Sequence, residues 1–148
     1  MDNKEFKNIF AEIAKINGFH KAFNGWFKES VETIIVLNLQ KSYFGNYYDL
    51  NIKIYVHGVF GRQYVRSKDL VNDIGDIFRR QPREYNTVFN LEVVMDDDSR
   101  RKRLEELFTE FINPYTDKAS SRQGLREMDA RGEIVLLETV KEQLGFDN

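Results

Sequence analysis

The chain has 148 residues, 41% of them apolar, a size and composition that suit one compact domain with a sizeable core and no need of a covalent staple. With 22 Lys+Arg against 24 Asp+Glu the net charge is −2, which argues against a wholesale polyanion binder, and the absence of cysteine excludes disulfides, thiolate metal sites and a cysteine nucleophile. No apolar leader opens the sequence and no run of about 18 apolar residues occurs, so a soluble, cytoplasmic protein with no membrane association is expected.

The first element is a helix over 3–17. Asp2 and Glu5 have capping-box spacing, Phe6, Ile9, Phe10, Ile13 and Ala14 recur on one face, and Gly18 is placed to end it with Phe19 packing back. Asn24-Gly25 then signals a hairpin that would set Phe23 beside Trp26 and Lys21 opposite Lys28, joining a short strand at 19–23 to a better one at 26–30.

The stretches 33–44 and 47–57 flank Gly45-Asn46, a pair suited to a two-residue turn. That turn pairs Ile35 with Val56, Leu37 with Ile54, Leu39 with Ile52 and Tyr43 with Tyr48 on a core face. The opposite face then carries Val36, Asn38, Gln40, Ser42, Asp49, Asn51, Lys53 and Tyr55.

Residues 58–86 show no sustained period; Ser67 to Ile77 suit a short helix or a loop, closed by Gln81-Pro82. VFNLEVV (88–94) reads as a strand. Asp96-Asp97-Asp98-Ser99 caps a helix over 99–112 with the stripe Leu104, Leu107, Phe108, Phe111 and Ile112, stopped by Asn113-Pro114. Helices at 121–131 and 133–144 complete the chain, ended by Gly132 and Gly145. The whole of 1–148 is thus expected as a single α+β domain, with an antiparallel meander of about four strands covered on its apolar face by helices 3–17 and 99–112.

Several residues together carry a family resemblance. Gly18-Phe19-His20-Lys21, the strand at Trp26-Phe27-Lys28, Leu39-Gln40-Lys41-Ser42 and Asp49-Leu50-Asn51-Ile52 resemble the bacterial family called domain of unknown function 4304. The similarity extends over about 5–112, with Arg79 or Arg80 near the family's recurring arginine and Phe89-Asn90-Leu91 near its aromatic-x-Leu strand. The resemblance implies an α+β fold and no established chemistry. Some relatives of such small families lie beside toxin genes and are thought to act as immunity proteins, an analogy of fold and neighbourhood only.

The polar sheet face is the first candidate surface. Asn38, Gln40, Ser42, Asp49, Asn51 and Lys53 converge there with Tyr55 as a flat contact, and Tyr64 and Arg66 follow in the 58–86 loops. The competing reading is the wet side of a half-buried sheet. His20 and His57 lie in no ligand spacing, and the Asp96–Asp98 run fits helix capping better than a hard cation. No cofactor and no transition metal are expected. The basic groups Arg62/Arg66/Lys68, Arg79/Arg80/Arg83, Arg100–Arg103 and Arg122/Arg126/Arg131 lack any nucleic-acid signature, and Glu105 and Glu106 stand three or four residues from members of the third, with Glu110 further along the same helix. No nucleophile elbow, P-loop or dinucleotide fingerprint occurs. These observations favour noncatalytic binding of another protein. An enzyme using the polar face, and a nucleic-acid binder using the arginine-rich loops, are the alternatives.

Overall fold

The computed structural model describes residues 1–146. Helix α1 (Asn3–Ile16) begins where the Asp2 carboxylate accepts the Glu5 N–H at 2.8 Å, and it ends at Gly18, whose φ of +89° lets the Phe19 N–H reach the Ala14 carbonyl. Five strands follow in an antiparallel sheet whose spatial order is their chain order: β1 (His20–Ala22), β2 (Gly25–Glu29), β3 (Thr33–Lys41), β4 (Tyr48–Val56) and β5 (Ile77–Arg80). The fold is α+β, and the strand count is five rather than about four.

Both hairpin registers differ from expectation by two residues, which leaves the paired strand residues on their predicted faces. In the first hairpin Ala22 faces Gly25 and Lys21 faces Trp26, so the Lys21–Lys28 repulsion does not arise. The turn consists of Phe23 and Asn24, both at positive φ as a two-residue I′ turn requires. Gly25 is needed elsewhere: a Cβ on it would stand 2.9 Å from Val71 Cγ2 and 3.2 Å from the Leu37 carbonyl oxygen. In the second hairpin Ile35 faces Ile54, Leu37 faces Ile52 and Leu39 faces Leu50, and Tyr48 faces Lys41 rather than Tyr43. The connection is the loop 42–47, closed by the Ser42 N–H donating to the Tyr47 carbonyl, in place of a two-residue turn at Gly45-Asn46.

The main core lies on the face bearing Ile35, Leu37, Leu50, Ile52 and Ile54. It is covered by Phe6, Phe10 and Ile13 of α1 and by Leu104, Leu107, Phe108 and Ile112. The second face is not simply wet. Helix α2 (Lys68–Asn72), capped by Ser67, lays Leu70 and Val71 over Phe27, Ile34, Val36 and Tyr55 to form a smaller core. Two-sided burial explains why residues 34–37 are apolar without alternation.

The expected strand at 88–94 is absent. A 3₁₀ segment (Arg83–Phe89) occupies its first part, Asn90 makes a single bridge to Tyr47, and β5 takes the sheet edge instead. The cause is Arg100, 2% exposed, whose guanidinium donates to the carbonyls of Thr87, Val88, Asn90 and Val93 at 2.7–3.4 Å. Carbonyls turned towards one side chain cannot form a ladder. Helix α3 (Asp97–Leu107) begins with Asp96 accepting the Ser99 N–H at 2.8 Å. It does not stop at Pro114. A π turn (Phe108–Ile112) carries it into α4 (Asn113–Lys118), with the proline in the first turn of the new segment, where its missing N–H does least harm. Helix α5 (Arg122–Ala130) matches its predicted span closely. Helix α6 (Glu138–Leu144) starts later than predicted, and 133–137 is non-helical.

Candidate functional site

On the second face the even-numbered residues of β3 stand beside the odd-numbered residues of β4 and the pair Phe78 and Arg80 of β5. Helix α2 divides this face in two. Under α2, Tyr55 is 3% exposed and donates its hydroxyl to the Leu70 carbonyl at 2.7 Å, while Lys53, 4% exposed, donates from Nζ to the Val71 carbonyl. Burial lowers the Lys53 pKa, opposed by the Asp73 carboxylate, and raises that of Tyr55. Neither side chain is the exposed contact that alternation suggests. Both fasten α2 to the sheet.

Beyond α2 the face is open. Asn51 is buried, and its Nδ2 donates to Gln40 Oε1 at 2.9 Å while its Oδ1 accepts from Arg80 Nε at 3.3 Å. Arg80 also lies 3.6 Å from the Asp49 carboxylate, which accepts from Gln81 at 3.4 Å. Asn38, facing Asn51, keeps a buried Oδ1 without a hydrogen-bond partner. Ser42 extends the row into the loop, where its hydroxyl accepts the Phe44 N–H at 3.0 Å. Of the sequence-predicted residues, Gln40, Asn51 and Asp49 therefore form one network through Arg80, while Asn38 and Ser42 lie beside it without joining it.

The loop itself presents residues that sequence reasoning assigned elsewhere. Tyr43 is 99% exposed and Phe44 93% exposed, although the predicted two-residue turn places Tyr43 in the core. The backbone beneath them is fixed, since the Asn46 carbonyl accepts the Leu91 N–H at 2.9 Å and Tyr47 bridges Asn90. Gly45 lies so close to the 90–92 segment that a Cβ there would stand 2.7 Å from Glu92 Oε2. The available signal was the strictly polar-or-aromatic run Ser42–Asn46 following the last aliphatic residue, Leu39.

Tyr64 and Arg66 lie apart from this network. A cleft of about 430 Å³ opens beside Tyr55, Arg62, Tyr64, Asp73 and Asp76. Tyr64 donates its hydroxyl to the Asp76 carboxylate at 3.1 Å and its N–H to His57 Nδ1 at 3.2 Å, and Asp76 also accepts the Val56 N–H at 2.9 Å. Burial raises the Asp76 pKa, moderated by the Val56 N–H, the Tyr64 hydroxyl and the Arg62 charge. These hydrogen bonds clamp the segment after β4 to the sheet. Arg66 pairs with Glu29 at 2.7 Å.

Several arginines of the basic groups are engaged within the chain. Arg79 lies over Phe111 at 4.4 Å, Arg103 over Tyr85 at 4.0 Å and Arg126 over Phe146 at 4.7 Å, while Arg122 donates to the His57 carbonyl at 2.6 Å. Arg101 and Arg103 pair with Glu105 and Glu106, whereas Glu110 accepts from the Tyr85 hydroxyl. His20 faces Phe27 across the first hairpin. The Ser99 N–H and hydroxyl hold the Asp96 carboxyl below its ordinary range, as a helix cap does. No helix among the described residues is long and apolar enough to cross a membrane.

No curated protein and no solved structure matches the chain. A family model described as a domain of unknown function, DUF4304, matches residues 10–118, a span that holds the whole sheet, the 42–47 loop and the Arg100-anchored segment; the chain belongs to that family.

Proposed function

We propose that this domain is a noncatalytic protein-binding module whose contact surface joins the Tyr43–Phe44 loop to the open part of the second sheet face. The observation that carries the reading is the pair of adjacent aromatic rings, 99% and 93% exposed, on a loop whose backbone is tied at both ends. Aromatic side chains held out in water contribute little to the fold, and a fixed loop presents them without an ordering cost on binding. Beside them, Gln40, Asn51, Arg80 and Asp49 supply polar groups already set in place by one another, the kind of polar surround in which aromatic anchors bind a partner's pocket. Neutralisation of a protein toxin, the role suggested by the sequence resemblance, is one form of this reading.

The test compares the wild-type chain with Tyr43→Ser/Phe44→Ser as baits in extract of the native cell, at low and high salt. The double variant is expected to keep its stability within about 0.5 kcal/mol. Its affinity for a protein partner retained stoichiometrically by the wild type should fall by at least about tenfold. Equal retention of that partner by both baits, or recovery of nucleic acid with a steep salt dependence, contradicts the proposal.

A further inference from the structure

On the opposite side of the β1–β2 hairpin from the aromatic loop's polar network, a groove of about 530 Å³ runs between α1 and β1. Its apolar lining comes from Ala11, Phe19 and Trp26, and its cationic groups, Lys15, Lys21 and Arg66, come from a helix, a strand and a loop. A neighbouring depression shares Lys21 and Trp26 and adds Lys7. Lys7, Ala11 and Lys15 are spaced four apart on α1, so the small Ala11 leaves the opening between two lysines.

The charges on this groove are unbalanced. Glu12 is the acid in the lining, and it is taken by Arg101 at 2.9 Å; Glu29 is taken by Arg66. Lys7, Lys15 and Lys21 make no ion pair among the described residues. Trp26, 5% exposed, closes the floor of the groove. An apolar floor and a lysine rim together ask for one kind of ligand. The volume falls within the range of small-molecule sites.

We infer that this groove binds a small organic anion, a carboxylate or phosphate carried on a flat apolar body, with the body in the opening at Ala11 beside Trp26 and the charge among Lys15, Lys21 and Lys7. This site is separate from the proposed protein-binding surface and stands whether or not that surface is used.

Trp26 is the only tryptophan, so the indole N–H of the ¹⁵N-labelled full chain gives a single resonance that reports on the groove directly. The probe is 2-naphthoate, with 2-naphthalenemethanol as the neutral body and inorganic phosphate as the bare anion. The indole resonance is expected to shift saturably with naphthoate and to respond weakly to either control. The exposed double variant Lys15→Gln/Lys21→Gln should need at least about tenfold more naphthoate, and Ala11→Leu should abolish the shift by filling the opening. Absence of a saturable shift below about 10 mM overturns the inference. So does an equal response to the alcohol or to phosphate, or a naphthoate response that the double lysine variant leaves unchanged.

Discussion

Replacing Arg100 with alanine is expected to destabilise the fold by about 3–5 kcal/mol, because it removes a buried, charged donor and leaves the Val88 and Val93 carbonyls without it. Four carbonyls between Thr87 and Val93 accept from this one guanidinium, and those of Thr87 and Asn90 also accept the backbone N–H groups of Asn90 and Val93. Burial lowers the Arg100 pKa, opposed by Asp97, so the group carries a desolvation cost that its hydrogen bonds and the Asp97 charge offset. Arg100→Lys keeps a charge and loses the planar fork, and it should recover only part of the loss. Urea denaturation measures both. A cost below about 1 kcal/mol for the alanine variant would mean that the segment 87–93 is held by something else.

Leu37→Asp is expected to cost at least about 4 kcal/mol, since Leu37 is fully buried against the α1 and α3 side chains and an unpaired carboxylate there has neither water nor a partner. Gln40→Asp, three residues on and facing the other way, should cost no more than about 1 kcal/mol. The second loss has two identifiable sources, the hydrogen bond from Asn51 and the new like charge opposite Asp49. Comparable urea midpoints for the two variants would show that the faces of β3 are assigned wrongly.

That face assignment was legible in the sequence although the register was not. Period-two alternation fixes which side a residue takes and nothing more, so a hairpin displaced by two residues satisfies the same pattern. Turn chemistry was the remaining guide, and it misled twice for a definable reason. Gly25 is required by the approach of Val71 and Gly45 lies against Glu92, so neither glycine marks the centre of a two-residue turn. Helix α1 was legible because its cap, stripe and terminal glycine agree. The 88–94 segment was not, because its β-rich composition is overridden by a residue outside it, Arg100. Pro114 misled because a π turn precedes it.

The candidate surface was half legible for the same kind of reason. Asn38, Gln40, Asp49 and Asn51 do share a face, as spacing predicted, while Ser42 lies in the loop beyond it. Tyr55 and Lys53 share it too, yet α2 covers them, and no local pattern announces which strand a five-residue helix will cross. Tyr43 was hidden by its own hydrophobicity, which reads as core whenever the turn is drawn too tight, and Phe44 by its place at the end of the stretch 33–44.

The central claim is that the second sheet face is divided, with α2 closing one part and the Tyr43–Phe44 end left for a protein partner. Amide hydrogen exchange of the chain, free and in complex with the partner that the wild-type bait retains, tests it most directly. Added protection confined to 38–49 and 78–92, with α2 unchanged, is the predicted result. Protection centred on α2 or on the segment 58–66, with 42–47 exchanging as in the free chain, would contradict it.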